Sequence, residues 1–335
     1  MDASGFSDTP FVSVLIPAHN EEDFIGRCIS SIQGLDWPAE RLEVLVIDHS
    51  STDATATRVH QGGARVLTKS DGKIGSVRNA GLLATTGEFV AYVDADCAVP
   101  STWLRKGIAL LETGVSIGAV GGPCLCPVTS TWIERTFAPR EPSAGDKKAE
   151  TLATSSFITR RSLLLEVGLF DETLTSGEDD NISQRIRARD LALISSADCH
   201  VVHYGYPRTL RAVARKERWH GSSQLESRAK LDVTLVLTHL FAAATAALPV
   251  ALPLWLFSRT ARSLDVLLAI LFIQLLPPLL YAGKRFRSRH REAHLIPAWL
   301  TVGYAYFFGR SLGLVSNYSR RCAAFRNAAH RTAPH

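Results

Sequence analysis

Two carboxylates two residues apart, Asp94 and Asp96, follow the apolar run Phe89-Val90-Ala91-Tyr92-Val93. At the end of a strand such a pair can converge on one hard cation, Mg2+ or Mn2+, which prefers oxygen ligands. A divalent ion there bridges two phosphates and neutralises the charge of a departing diphosphate. An acidic pair alone is equally a solvated turn, so its meaning depends on its surroundings. Two further polar sets also end apolar runs. Pro17-Ala18-His19-Asn20-Glu21-Glu22 follows residues 12–16, and Asp48-His49-Ser50-Ser51-Thr52-Asp53 follows residues 42–47. As bare sequence the first is a turn leading into an acidic helix start. The second is an N-cap cluster for the next helix. Both readings are compatible with ligand contact.

These sets need elements to position them. Residues 12–16 (ended by Pro17), 42–47 (ended by Asp48), 64–67 and 89–93 are short apolar runs of the kind found in buried strands. Residues 23–33, 52–60 and 75–85 carry helical spacing or helix-start signals. Strands alternating with helices predict a mostly parallel α/β sheet flanked by helices on both faces. Ligands of such sheets gather at the carboxyl ends of the strands, which brings Asn20, Asp48 and Asp94 together. Farther on, helices are expected over 103–111, 161–167 and 181–189, and strands over 117–121, 154–159 and 192–195. A polar loop is expected over 135–150, with Pro139, Pro142 and Gly145, and a turn over 168–171.

The chain has 335 residues, 46% of them hydrophobic, and its composition shifts near Asp232. Residues 233–258 and 266–283 lack charge, although Pro277 and Pro278 interrupt the second block. A helix needs about 20 apolar residues to cross a bilayer. The expectation is a membrane region over 231–316, with a crossing hairpin from the first two blocks and a third block, 295–316, crossing or re-entrant. A basic tail over 317–335 follows. The net charge is +5, concentrated in Lys284, Arg285, Arg287, Arg289 and Arg291 and in Arg320, Arg321, Arg326 and Arg331. These clusters flank apolar segments, which suits membrane lipids with anionic headgroups. No recognition motif accompanies them, so nucleic acid is not an expected partner. The basic loop after the second block should be cytoplasmic. A third full crossing would then put the basic C-terminus outside, so the third block is expected to be re-entrant or to lie in the interface. Residues 1–10 have no apolar h-region, so no cleaved signal peptide is expected and the soluble part should stay cytoplasmic. Of six cysteines, Cys124 and Cys126 form a C-x-C pair with no second pair to complete a zinc site. No G-x-G-x-x-G follows the first strand, which excludes a dehydrogenase.

In order, strand-PAHNEE, strand-DHSSTDAT, KIGSVRNAGL, GEFVAYVDADC and SGEDDNISQRIR resemble the motifs of family 2 glycosyltransferases over about residues 12–219. The resemblance implies a GT-A domain over 1–230, with a nucleotide half about 11–97 and an acceptor half about 98–220. It implies an inverting transferase that takes a sugar from a nucleotide-diphosphate donor. Pro17, Ala18, Asn20 and Glu21 would line the nucleoside pocket, and Asp48 would contact base or ribose. Arg78, with Lys73 assisting, would lie near the diphosphate. Asp94 would touch the nucleotide and the metal, Asp96 would ligate the metal, and His203 is a candidate third ligand. Glu178 and Asp179 match the acidic pair, with Asp179 as general base. Inversion by one displacement needs such a base to take the acceptor proton. Asp180 remains an alternative, and charge on the helix beginning near Asn181 is the plain structural reading.

Processive members carry Q-x-x-R-W, whereas Arg215-Lys216-Glu217-Arg218-Trp219 has Arg in place of Gln. Arg218 and Trp219 either bind diphosphate and acceptor sugar or form a basic amphipathic segment at the membrane surface. The expected acceptor is lipid-linked or a membrane-proximal glycan, the expected place a bacterial inner membrane, and the expected role cell-surface polysaccharide or glycolipid assembly. A processive synthase and an inactive nucleotide-sugar-binding scaffold are the alternatives.

Overall fold

The computed structural model describes residues 9–114, 116–138, 145–223, 233–288 and 290–331. The chain divides into two compact units. One is Met1–Thr129 with Ala138–Tyr206, and the other is Ser130–Phe137 with Pro207–His335.

In the first unit the strands are β1 (Val12–Ala18), β2 (Leu42–Asp48), β3 (Arg65–Thr68), β4 (Phe89–Tyr92), β5 (Cys97–Ala98), β6 (Ile117–Gly121), β7 (Cys124–Leu125), β8 (Asp146–Ala149), β9 (Phe157–Arg160), β10 (Ala192–Ser196) and β11 (Val201–His203). Eight form one sheet in the order β3-β2-β1-β4-β9-β6-β10-β8, and β5-β11-β7 form a second, small sheet. The β1–β2, β1–β4, β2–β3 and β6–β10 pairs are parallel, whereas β9 runs antiparallel to both β4 and β6.

All seven residues of β1 are buried, as befits a central strand covered on both faces. Its side chains alternate between two cores. Val12, Val14, Ile16 and Ala18 join Ile25, Cys28, Ile29 and Ile32 of α1 (Ile25–Gln33) and Trp103, Leu104 and Ile108 of α4 (Trp103–Glu112). Leu15 turns to the other core, with Val77 and Leu82 of α3 (Ile74–Leu83) and Ile182 and Ile186 of α7 (Glu178–Arg187). The short helices α2 (Thr55–Gln61) and α6 (Arg161–Glu166) complete the two layers.

Four expectations change in the first unit, one being the strand expected over 154–159, where Thr154–Ser156 forms a 3-10 turn and β9 begins at Phe157. Pro17 does not end the first strand. β1 continues through it, and Pro17 and Ala18 stand in register with Ile47 and Asp48 of β2. Most of the polar stretch expected as a loop over 135–150 is structured where it is described. Its start belongs to α5 (Trp132–Phe137) and its end is the edge strand β8, paired antiparallel with β10. Residues 139–144 lie outside the described residues. Helix α7 starts at Glu178 rather than Asn181, because Gly177 takes a left-handed φ of 82° and turns the chain in ahead of the acidic residues.

The second unit holds α5, α8 (Leu210–Ser223), α9 (Val233–Ser258), α10 (Ala261–Ser288) and α11 (Ile296–Arg331). Helix α8 belongs here, although it precedes the expected boundary at residue 230, because glycines let it lie directly against α11. A Cβ on Gly309 would meet Ala214 O at 2.2 Å, and one on Gly313 would meet Arg218 O at 2.1 Å. Buried Glu217 accepts from Arg310 Nε at 2.7 Å across the same contact. Helices α9 and α10 are long and apolar enough to cross a membrane, with mean hydropathy 1.9 and 2.1. Both keep internal prolines, Pro249 and Pro253 in α9 and Pro277 and Pro278 in α10. The third apolar block has no re-entrant turn, being part of one unbroken helix, α11.

Candidate active site

The carboxyl ends of β1 and β2 are joined by side chains. Asn20 Oδ1 accepts from Thr52 N at 2.8 Å, and Asn20 N donates to Ser51 Oγ at 2.9 Å. Glu21 N donates to Thr55 Oγ1 at 2.8 Å, and Glu22 Oε2 accepts from Ala54 N at 3.0 Å. Asn20 and Ser50 both adopt positive φ, 57° and 54°, conformations that cost energy outside glycine and that gather at functional loops. Asp48, the last residue of β2, is 5% exposed. Its Oδ2 accepts from Ser51 N at 3.4 Å, while Oδ1 is buried with no hydrogen-bond partner among the described residues. A buried acceptor of this kind costs free energy until a donor fills it. Pro17 and Ala18 are buried in the strand, and Ala18 O accepts from His49 N at 2.8 Å.

Arg78 links two of the motifs. It lies on α3, 4% exposed, and its guanidinium donates through Nη1 to Glu178 Oε1 and through Nη2 to Asp94 Oδ1, the latter at 3.3 Å. One cation thus ties the end of β4 to the first turn of α7. The neighbouring residues of α3 hold the segment that leads into α7. Asn79, 3% exposed, donates to Phe170 O and Glu172 Oε1 and accepts from Phe170 N, each at 2.9 Å. Lys73 Nζ donates to Thr173 O at 2.8 Å. Gly75 fits tightly here too, since a Cβ on it would lie 2.6 Å from Asp171 O.

Asp179 sits beside Glu178 on that first turn, and its Oδ1 accepts from Asp180 N at 2.9 Å. Burial pushes its carboxyl up to about 6, with the charges of Glu178 and Asp180 adding to the effect. A carboxylate tuned to this range suits proton abstraction near neutrality.

Asp96 has a different partner. Strand β11 runs antiparallel to β5 and pairs His203 with Cys97. His203 Nε2 consequently lies 3.4 Å from Asp96 Oδ2, and both side chains are partly open to solvent. Tyr206 stacks on the His203 ring at 4.3 Å and fixes its plane. A Cβ on Gly205 would fall 1.9 Å from Asp96 Oδ2, so only glycine leaves room for this carboxylate. Among the described residues Asp96, Cys97 and His203 form one group of convergent ligand atoms. Burial, then the carboxylates nearby, push the Cys97 thiol well above its usual range. Its Sγ donates to Asp96 Oδ1 at 3.5 Å, and Asp96 and His203 offer a carboxylate oxygen and an imidazole nitrogen as the harder donors. That pair fits a divalent cation such as Mn2+ or Mg2+. Asp94, engaged by Arg78, stands outside this ligand group.

Arg218 and Trp219 lie on α8 of the second unit, both exposed. Asn79, Gly205 and Tyr206 carry no chemistry of their own and went unmarked in the sequence. Asn79 nevertheless lies inside the K-I-G-S-V-R-N-A-G-L motif, and Gly205 and Tyr206 come two and three residues after His203.

Comparison with known proteins identifies the kind of domain that holds these residues. Residues 13–168 match the family described as Glycosyl transferase family 2. The glycosyltransferase AglE of Haloferax volcanii is 29% identical over 207 residues, covering 58% of this chain and 68% of that protein. The probable glycosyltransferase YdaM of Bacillus subtilis is 28% identical over 199 residues, covering 53% of this chain and 47% of YdaM. Among solved structures, the mannosyltransferase PcManGT from Pyrobaculum calidifontis, in complex with GDP-Man and Mn2+, is similar with a TM-score of 0.57 at 20% identity. That match covers 92% of this chain and 88% of the other. The fold is that of GT-A enzymes, and residues 13–168 carry a family 2 glycosyltransferase domain.

Proposed function

We propose that the protein moves a sugar, with inversion, from a nucleotide-diphosphate donor to a lipid-linked or membrane-proximal acceptor in cell-surface polysaccharide or glycolipid assembly. The observation that carries this is the Arg78 bridge. One buried guanidinium holds the end of the D-x-D strand and the acidic turn that bears Asp179 in a single frame. In this reading the donor nucleoside lies over the ends of β1 and β2. The orphaned Asp48 Oδ1 accepts from its base or ribose, while Asn20 and Glu21 shape the pocket through the loop they tie. Arg78 steadies Asp94 and Glu178, and its positive charge faces the diphosphate side with Lys73. Asp96 and His203, with Asp94 nearby, would hold Mg2+ or Mn2+. When bound, such an ion neutralises charge that builds on the leaving diphosphate. The relative with GDP-Man and Mn2+ supports this kind of donor and ion without naming the sugar used here.

Asp179 takes the proton of the acceptor hydroxyl as that oxygen attacks the anomeric carbon from the face opposite the leaving group. One displacement inverts the centre and needs one base. Glu178 is already engaged by Arg78, which leaves Asp179 for this role.

Placement at an inner membrane with a cytoplasmic catalytic unit is part of the proposal. Helices α9 and α10 expose apolar side chains such as Val250, Phe257 and Phe272. Their internal prolines are tolerated in membrane helices better than in water. Contacts of α11 fall on the first third of α9 and the middle of α10. Ser311 Oγ donates to Thr238 O, Tyr318 OH meets His239, and Tyr304 packs on Phe241 and accepts from Gln274. All of these lie away from the Arg259–Thr260 turn, which supports an interfacial position for α11.

The test is a screen of nucleotide sugars with Mn2+ or Mg2+, in membranes with native lipids, reading diphosphate release. Release with one donor that requires the divalent ion is expected. No release with any donor would sink the enzyme reading and favour a binding scaffold. Long polymer from one donor would favour a processive synthase.

A further inference from the structure

One face of α8 has no place in the reaction described above. Arg215, Arg218, Trp219 and Ser222 recur at the spacing that puts residues on a single helical stripe. With Ser316 of α11 they line a cavity of about 470 Å³. The opposite side of α8 is consumed by packing, where Gly221 lies against Arg310 and Val213 is fully buried with Val302. The one carboxylate in this turn of helix, Glu217, is buried and already engaged by Arg310. Arg215 and Arg218 therefore offer two guanidinium groups with no carboxylate partner among the described residues.

The position of the cavity along the helices indicates what fills it. Asn317, next to Ser316, donates to Ser222 O, and Tyr318 reaches His239 near the start of α9. The cavity thus sits at the end of the α9–α10 pair, where an apolar span begins. It combines two guanidinium groups, two hydroxyls and an indole that is 50% exposed. Arginine forks match phosphate oxygens, and a tryptophan at a bilayer boundary sits with its ring at headgroup level. Soluble phosphates would need the cations alone. The indole and the adjoining apolar helices add a place for an alkyl or isoprenoid chain.

We propose that this groove between α8 and α11 binds the phosphate headgroup of a membrane lipid, with Arg215 and Arg218 on the phosphate and Trp219 against the start of the chain. The inference rests on the membrane placement proposed above. It does not depend on which donor the first unit uses.

The test uses the full chain in non-ionic detergent, without nucleotide sugar, and three probes: a C15 isoprenoid monophosphate, the matching C15 alcohol, and inorganic phosphate. Saturable binding of the isoprenoid phosphate is expected, at least tenfold tighter than the alcohol or inorganic phosphate. Arg215→Ala with Arg218→Ala should weaken it at least tenfold, and Trp219→Ala alone severalfold. Retained helical circular dichroism and melting temperature show that the variants fold. Should the double variant misfold, Arg215→Gln and Arg218→Gln singly give the same reading. Unchanged binding in folded arginine variants overturns the site. Inorganic phosphate binding as tightly as the lipid overturns the lipid assignment and leaves a free-anion site. The donor screen fails or succeeds separately, since no donor is present here.

Discussion

Replacing Asp179 with Asn should make the protein more stable and at the same time inactive. Asp179 sits behind Glu178 and beside Asp180, and burial holds its carboxyl at about 6 rather than the ordinary 3.8. Ionising it in the fold therefore costs about 3 kcal/mol relative to the unfolded chain, at 1.36 kcal/mol per tenfold. The sign follows from linkage. The folded state binds the proton more tightly than the unfolded state, so stability falls as pH rises from about 3.8 to about 6, and the full cost remains above that. Asparagine removes the charge and keeps an oxygen to accept from Asp180 N. Sharing of charge with Glu178 and Asp180 trims the gain to about 1–3 kcal/mol above pH 7. For a domain of roughly 150–250 residues each kcal/mol moves the melting temperature by about 2–4 °C. The assay is thermal melting of wild type and Asp179→Asn from pH 3.5 to 8.5, paired with transfer rates. The difference should appear between pH 4 and 6.5 and level off above, while transfer drops by about 10²–10⁴. A variant no more stable than wild type at pH 8, or equally stabilised at pH 3.5, would refute the reasoning.

Other outcomes follow from the same geometry. Gly205→Ala should displace the Asp96 carboxylate, because its new Cβ would lie 1.9 Å from Oδ2. The Mn2+ needed for half-maximal diphosphate release should rise at least tenfold, with little change in melting temperature. Asn79→Ala leaves Phe170 N and O without their buried partner, at about 2–4 kcal/mol. Since Asn79 holds the approach to α7, turnover should fall while donor KM stays within about threefold. Arg310→Ala strands Glu217, which is 2% exposed, and should destabilise the second unit by about 3–5 kcal/mol, with Arg310→Ala/Glu217→Gln recovering part of it.

Much of the first unit is legible in the sequence because its signals are local. The runs around Val14, Val46 and Ala91 are short, apolar and bounded by polar motifs, and each is a strand with a site residue at its end or just beyond. The partners of those residues are harder to read. Asp94 and Asp96 look like one unit in the sequence, yet Arg78 engages the first and His203 meets the second. His203 comes through β11, a three-residue strand too short to show a period. The roles of Gly205 and Asn79 depend on contacts far along the chain, which no local pattern encodes. In the second unit, residues 233–258 are readable from their apolar length. That α8 joins these helices depends on Gly309 and Gly313, whose G-x-x-x-G spacing is in the sequence but whose partner helix is not.

The central claim is a single displacement in which Asp179 takes the acceptor proton. Proton NMR of the first product, formed from whichever α-linked nucleotide sugar the screen identifies, tests it most directly. The account predicts a β-linked product from the outset of the reaction. An α-linked product would contradict it, since retention requires a second displacement or a different attack that this site does not provide.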